Sequence, residues 1–142
     1  MSSPGREDPA AALNQVLSEV IDAILDVRQA ARRIPGTQAL HGVLDQLFAD
    51  LRGWAQLLAE QDRALGVSPL ASMSTGQGRT PPNPWHGGAS AEEVRRIVGA
   101  HLGRLAGHLA AALAEQEDDT VRATLTEVQR GILAYTRALS EP

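Results

Sequence analysis

A chain of 142 residues, 43% of them hydrophobic, has the size of one domain and is long enough to bury a core. Its apolar residues are mostly Ala, Leu and Val, with one Phe, one Tyr and two Trp, a composition that suits closely approaching helices. The absence of cysteine excludes disulfides, thiolate metal sites and Cys nucleophiles, and a net charge of −4 without a single lysine shows no generic nucleic-acid footprint.

Residues 1–8 read as a tail. They lack the apolar segment of a signal peptide, and no apolar run approaches the length of a membrane span, so a cytoplasmic location without a membrane partner is expected. Asp8 followed by Pro9 is a helix start, a capping carboxylate before proline at the first helical position. Leu13, Leu17, Val20, Ile24 and Val27 then recur at three- and four-residue spacing, with Val16 and Ile21 widening the stripe, until Pro35 and Gly36 end the helix. A local basic patch is open around Arg28, Arg32 and Arg33.

A second helix is predicted from about Thr37 to Leu65, with Leu40, Leu44, Leu47, Phe48, Leu51, Trp54, Leu58 and Leu65 as its apolar set. Gly42 and Gly53 are tolerated in it at some cost and suggest close helix contacts. Residues 66–88 are rich in Gly, Pro, Ser and Thr, too long for a tight turn and suited to a crossover; a short helix at 70–73 is a weak reading. Ser90 with Glu93 forms a capping-box pattern ahead of a third helix carrying Val94, Ile97, Val98, Leu102, Leu105, Leu109 and Leu113. Asp118, Asp119 and Thr120 cap a fourth, whose buried face is predicted as Val121, Leu125, Val128, Ile132, Tyr135 and Leu139. Four long helices joined by short, long and short connections favour an all-α, ferritin-like four-helix bundle over residues 9–140, with an unrelated four-helix bundle as the alternative.

One polar stripe interrupts the second helix. At 100° per residue His41, Asp45, Gln56 and Glu60 fall at about 0°, 40°, 60° and 100°, on one face. At 1.5 Å per residue Asp45 and Glu60 are nevertheless roughly 22 Å apart, so they cannot share a metal within one straight helix. They could meet across an antiparallel pair of identical helices, the His41/Asp45 end of one facing the Glu60 end of the other. The bland reading is an i,i+4 surface pair for His41 and Asp45 and a solvated face for Gln56 and Glu60.

The segment 39–45, Ala-Leu-His-Gly-Val-Leu-Asp, resembles the Leu-His-Glu-x-x-Asp stretch of the Dps family of mini-ferritins, with Gly42 where Glu is usual. Segment 60–66, Glu-Gln-Asp-Arg-Ala-Leu-Gly, resembles that family's Glu-Arg-x-x-x-Leu-Gly-Gly ending, and the acidic run before Thr120 resembles its turn ahead of the last helix. The resemblance covers roughly residues 10–140. It implies a two-fold dimer within a hollow twelve-subunit shell, with Fe2+ oxidised between two-fold-related subunits, usually by hydrogen peroxide, and stored as ferric mineral. Many members bind DNA; the non-basic tail here does not favour it.

Carried over position by position, the family's five-ligand centre is incomplete. Gln29 stands where its first histidine is expected and Gln56 where the partner-side aspartate is expected, and its His-Trp-Asn-x-x-Gly signature is absent from 29–34. His41, Asp45 and Glu60 are retained as candidate metal and catalytic residues. A neutral amide is a weak ligand for a divalent cation, so the resemblance implies one metal position, a His and two carboxylates, rather than two. Two rival readings are a catalytically degenerate shell or scaffold, and a bundle repurposed for binding or converting a small molecule.

Elsewhere the sequence is less specific. His101 and His108 lie about 10 Å apart along the third helix and are read as hydrogen-bonded histidines rather than ligands. Trp54 is read as core packing, and Trp85 with His86 could line a pocket or subunit contact in the crossover. No phosphate-binding glycine loop or nucleophile elbow is present.

Overall fold

The computed structural model describes residues 8–67 and 90–141. Four helices account for nearly all of them: α1 (Pro9–Ala31), α2 (Ala39–Ala64), α3 (Ala91–Glu115) and α4 (Asp119–Ser140). The expected helix at 70–73 and the Trp85/His86 pair lie outside the described residues, as do residues 1–7.

Each boundary has a local chemical cause. Asp8 accepts a hydrogen bond from the Ala10 N–H at 3.2 Å while Pro9 opens α1. At the end of α2, Gly66 takes a left-handed φ of +79°. Its N–H donates to the Arg63 carbonyl at 3.0 Å and the Val67 N–H to the Asp62 carbonyl at 2.9 Å. Those two bonds form a Schellman stop, which needs a residue without a Cβ at that position. The α3 cap is Ser90 Oγ accepting from the Glu93 N–H at 3.1 Å, and the α4 cap is Asp118 Oδ1 accepting from the Val121 N–H at 3.0 Å. Only α2 starts without a side-chain cap, on Gln38.

Helix direction follows from which residues meet. On the α1–α3 seam Asp26 pairs with His101 and Glu19 with His108, so residue numbers fall along one helix as they rise along the other. On the α2–α4 seam Asp50 meets Tyr135, and Trp54 lies over Gly131. Both seams are therefore antiparallel. Because α1 and α2 also form an antiparallel hairpin, α2 and α3 run the same way, and the chain must travel the length of the bundle between them. That is the physical reason for the long segment 66–88 and for the ferritin-like topology.

The core is one continuous apolar column. Leu13, Val16, Val20 and Val27 of α1 meet Leu44, Leu47, Leu51 and Leu58 of α2, Leu102, Leu105 and Leu109 of α3, and Val121, Leu125, Val128 and Ile132 of α4. The stripes predicted for α3 and α4 are the buried ones, with Ile97, Leu113 and Tyr135 half-buried at their margins. Leu65 differs from expectation: it is 41% exposed, because the helix has already stopped and its side chain no longer points along the core stripe. The helix Ala91–Glu115 is, by length and composition alone, apolar enough to cross a membrane, contrary to the sequence reading, with a mean hydropathy of 1.3 over its most apolar window. Its stripe Val94, Val98, Leu102, Leu105 and Leu109 is used inside the bundle.

Asp62 is the exception in this column, a carboxylate with no exposed surface. It continues the row Leu51, Leu58 on α2, and the Asn14 amide of α1 donates to both of its oxygens, at 3.3 Å to Oδ1. Burial raises its pKa above the ordinary value of 3.8. For an acid raised in the folded state, the favourable contribution is complete below pH 3.8 and is lost as pH rises through the folded pKa. Asp62→Asn keeps one of the two acceptors for Asn14, gives up the other, and removes the buried charge. It is expected to stabilise the protein by on the order of 1 kcal/mol at pH 7 and by nothing near pH 3, measured by urea unfolding at both. A loss of stability at pH 7 would mean that Asn14 needs the ionised form.

Candidate functional site

The first turn of α2 places His41 and the next places Asp45. The His41 Nδ1 lies 3.3 Å from Asp45 Oδ2, so the carboxylate orients the imidazole through one of its two nitrogens. Asp45 remains two-thirds exposed and His41 about one-quarter exposed. These are two of the three residues expected to act together, and the single chain brings them together.

Glu60 is not with them. It is exposed on the same helix four turns further along, and Gln56, also exposed, precedes it by one turn. Among the described residues no group of three or more His, Asp or Glu side chains could hold a metal ion. A site made of His41, Asp45 and Glu60 therefore requires a second copy, as the straight-helix geometry already demanded. Gln29 is exposed near the end of α1, where it supplies no charge.

The surroundings of His41 and Asp45 are cationic. An open groove of about 490 Å3 runs between the C-terminal turns of α1 and the N-terminal half of α2, and Arg28, Arg32 and Arg52 line it together with His41 and Asp45. The Arg52 guanidinium sits 5.8 Å above the Phe48 ring. The sequence patch of Arg28, Arg32 and Arg33 is thus redrawn: Arg52 joins it from α2 and Arg33 does not line the groove.

The remaining polar residues singled out in the sequence hold helices together. His101 is hydrogen-bonded to Asp26, as expected, and His108 Nδ1 faces Glu19 Oε1 at 2.7 Å, both on the α1–α3 seam. Neither pair gathers a third ligand among the described residues. Tyr135 donates its hydroxyl to Asp50, and burial, reinforced by that carboxylate, pushes its pKa well above the ordinary value of 10.0. Trp54 packs edge-on against Tyr135 with ring centroids 6.3 Å apart, which places it in packing, as expected. Arg122 donates to the carbonyls of Leu113 and Gln116, the latter at 2.9 Å, and so ties α4 to the open end of α3.

No protein-family model matches the sequence, and no curated protein matches it. Among solved structures the fold is similar to a Dps from Microbacterium arborescens in the high iron form, with a TM-score of 0.81 and 22% identity, covering 98% of this chain and 95% of that one. The chain has the Dps fold. The match runs nearly end to end over both chains. At 22% identity the fold is what this likeness shows. Within that fold, the polar stripe of α2 carries His41, Asp45, Gln56 and Glu60, and Gln29 lies near the end of α1.

Proposed function

We propose that this protein is a Dps-like, self-associating iron-binding and iron-storage protein. The observation that carries the reading is the end-to-end likeness of its fold to a Dps captured in a high iron form. In the proposed arrangement two copies pair about a two-fold axis with their α2 helices antiparallel. His41 and Asp45 of one copy and Glu60 of the other then hold one Fe2+, the cargo of the shell, on one nitrogen and two carboxylates with open positions for oxidant.

The donor set limits the rate. Peroxide takes up two electrons and each Fe2+ gives one; the balanced reaction is 2Fe2+ + H2O2 + 2H2O → 2FeO(OH) + 4H+. A centre that holds a single iron must recruit the second electron from another iron, so oxidation here is slower than at a site holding both. The arginines beside His41 also oppose a cation. A twelve-subunit closed shell in the cytoplasm is the assembly this reading implies, without a role for membrane and with DNA not favoured.

The test is an anaerobic Fe2+ titration of the metal-free protein, followed by peroxide while ferric absorbance is monitored. Saturation near one iron per chain, and oxidation faster than in buffer, are expected. Asp45→Asn and Glu60→Gln should each weaken binding at least tenfold, and the double variant no more than either alone, because removing one ligand already opens the shared site. Unsaturable binding with no protein-dependent oxidation would leave the second reading, a shell or scaffold without a ferroxidase centre. The neutral Gln29 and Gln56 and the arginine-lined groove favour that reading specifically.

A further inference from the structure

We propose that the groove between α1 and α2 binds an oxyanion of the phosphate class, a phosphomonoester with an apolar body. The inference rests on this chain's arginines, in the groove that His41 and Asp45 also line.

Three guanidiniums converge on one concave surface: Arg28 and Arg32 from α1 and Arg52 from α2. Among the described residues none of the three is ion-paired with a carboxylate, and Asp45, the one acidic residue in the groove, is engaged by His41 at 3.3 Å. Three arginines and one carboxylate give the groove a formal charge of +2 on a chain whose net charge is −4. Arg28 and Arg32 are four residues apart on one helix face, where like charges repel. An anion seated between them turns that repulsion into two attractions.

Simpler roles account for part of the cluster only. Arg28 lies in the last turn of α1, where a cation complements the helix dipole. Arg52 is in the interior of α2, remote from either terminus, so the dipole does not explain it. Its contact with Phe48 holds the guanidinium over the groove floor.

Geometry selects the ligand. Guanidinium forks recognise oxyanions through paired N–H donors, and three forks, two from α1 and one from α2, suit a tetrahedral group with three terminal oxygens better than a planar carboxylate with two. At about 490 Å3 the groove exceeds an inorganic phosphate, and Leu44 and Phe48 give the remainder an apolar floor. An aromatic or aliphatic body on the phosphate fits that remainder.

Isothermal titration of the assembled, chelator-treated protein with inorganic phosphate and with phenyl phosphate tests this. Both should bind saturably, phenyl phosphate at least threefold more tightly, and Arg28→Gln or Arg52→Gln should each weaken binding at least tenfold. Arg130→Gln, an exposed position on α4, is the control and should change nothing. Circular dichroism confirms that the variants fold, and Glu60→Gln should retain phosphate binding while losing iron, which separates the two readings. Equal affinity for phosphate and phenyl phosphate would reassign the site to the free ion and overturn the apolar-body part. No saturable binding, or equal loss in Arg130→Gln, overturns the site. Absence of phosphate binding together with dissociation of the assembly in Arg28→Gln would also overturn it, by assigning the arginines to a partner copy's carboxylates.

Discussion

Replacing Gly131 by alanine lowers the stability of the protein, although alanine is the better helix former. A Cβ at position 131 would lie 2.1 Å from Cζ2 and 2.7 Å from Cη2 of Trp54, closer than non-bonded atoms approach. The indole cannot simply swing aside. Its edge rests on Tyr135, at an interplanar angle of 74°, and Tyr135 is in turn anchored on Asp50. Overpacking of this kind costs about 1–3 kcal/mol, against a gain of roughly 1 kcal/mol from helix propensity. A net loss of up to about 2 kcal/mol is expected, or a fall in Tm of up to about 6 °C at fixed protein concentration. Gly42→Ala and Gly53→Ala are the internal controls. Neither added Cβ meets another atom within 4 Å, so both should gain stability by propensity alone. A Gly131→Ala protein as stable as those two would show that the α2–α4 seam yields, and that the Trp54–Tyr135–Asp50 contact does not set its spacing.

This contrast also marks where sequence reading ran out. Periodicity identifies the stripes of all four helices because burial at 3.6-residue spacing is local to each helix. The crossover length gives the relative directions of α2 and α3, since helices that run the same way need a connection as long as themselves. Register between helices is not local. Gly42 and Gly53 looked like close-packing positions, yet in the single chain their faces are open and the close approach is at Gly131, which only the alignment of α2 with α4 places under Trp54. For the same reason His101 and His108 could be read as hydrogen-bonded, whereas their partners Asp26 and Glu19 could not be named before α1 and α3 were aligned.

The burial of Asp62 is legible in the sequence. Asp62 stands four residues after Leu58 on the buried row of α2, and a carboxylate in that row requires a partner from the neighbouring helix, here Asn14. Arg52 is eleven residues from His41, about three turns, and so returns to a neighbouring face of α2, but its meeting with Arg28 and Arg32 depends on the α1–α2 packing. The candidate iron residues remain legible only in part, for a physical reason. One helix separates Asp45 from Glu60 by about 22 Å, and the geometry that would join them belongs to a pair of chains.

That pairing makes the largest functional prediction. Asp45→Asn protein and Glu60→Gln protein, each alone, lack one ligand at every site and should bind almost no iron. When the two are unfolded, mixed in equal amounts and reassembled, half of the pairs are mixed. In a mixed pair the Glu60→Gln chain still presents His41 and Asp45, and the Asp45→Asn chain still presents Glu60. Those intact residues face one another at one of the two sites, while the other site has lost both. About one quarter of all sites should therefore recover, with iron stoichiometry and peroxide-dependent oxidation returning together to about a quarter of the wild-type level. A site contained in one chain cannot recover in this way, because every chain in the mixture is defective. Recovery near a quarter requires the two-fold arrangement of α2 helices. No recovery, in a mixture shown to exchange subunits, would return His41 and Asp45 to a surface pair and Glu60 to a solvated face of the helix.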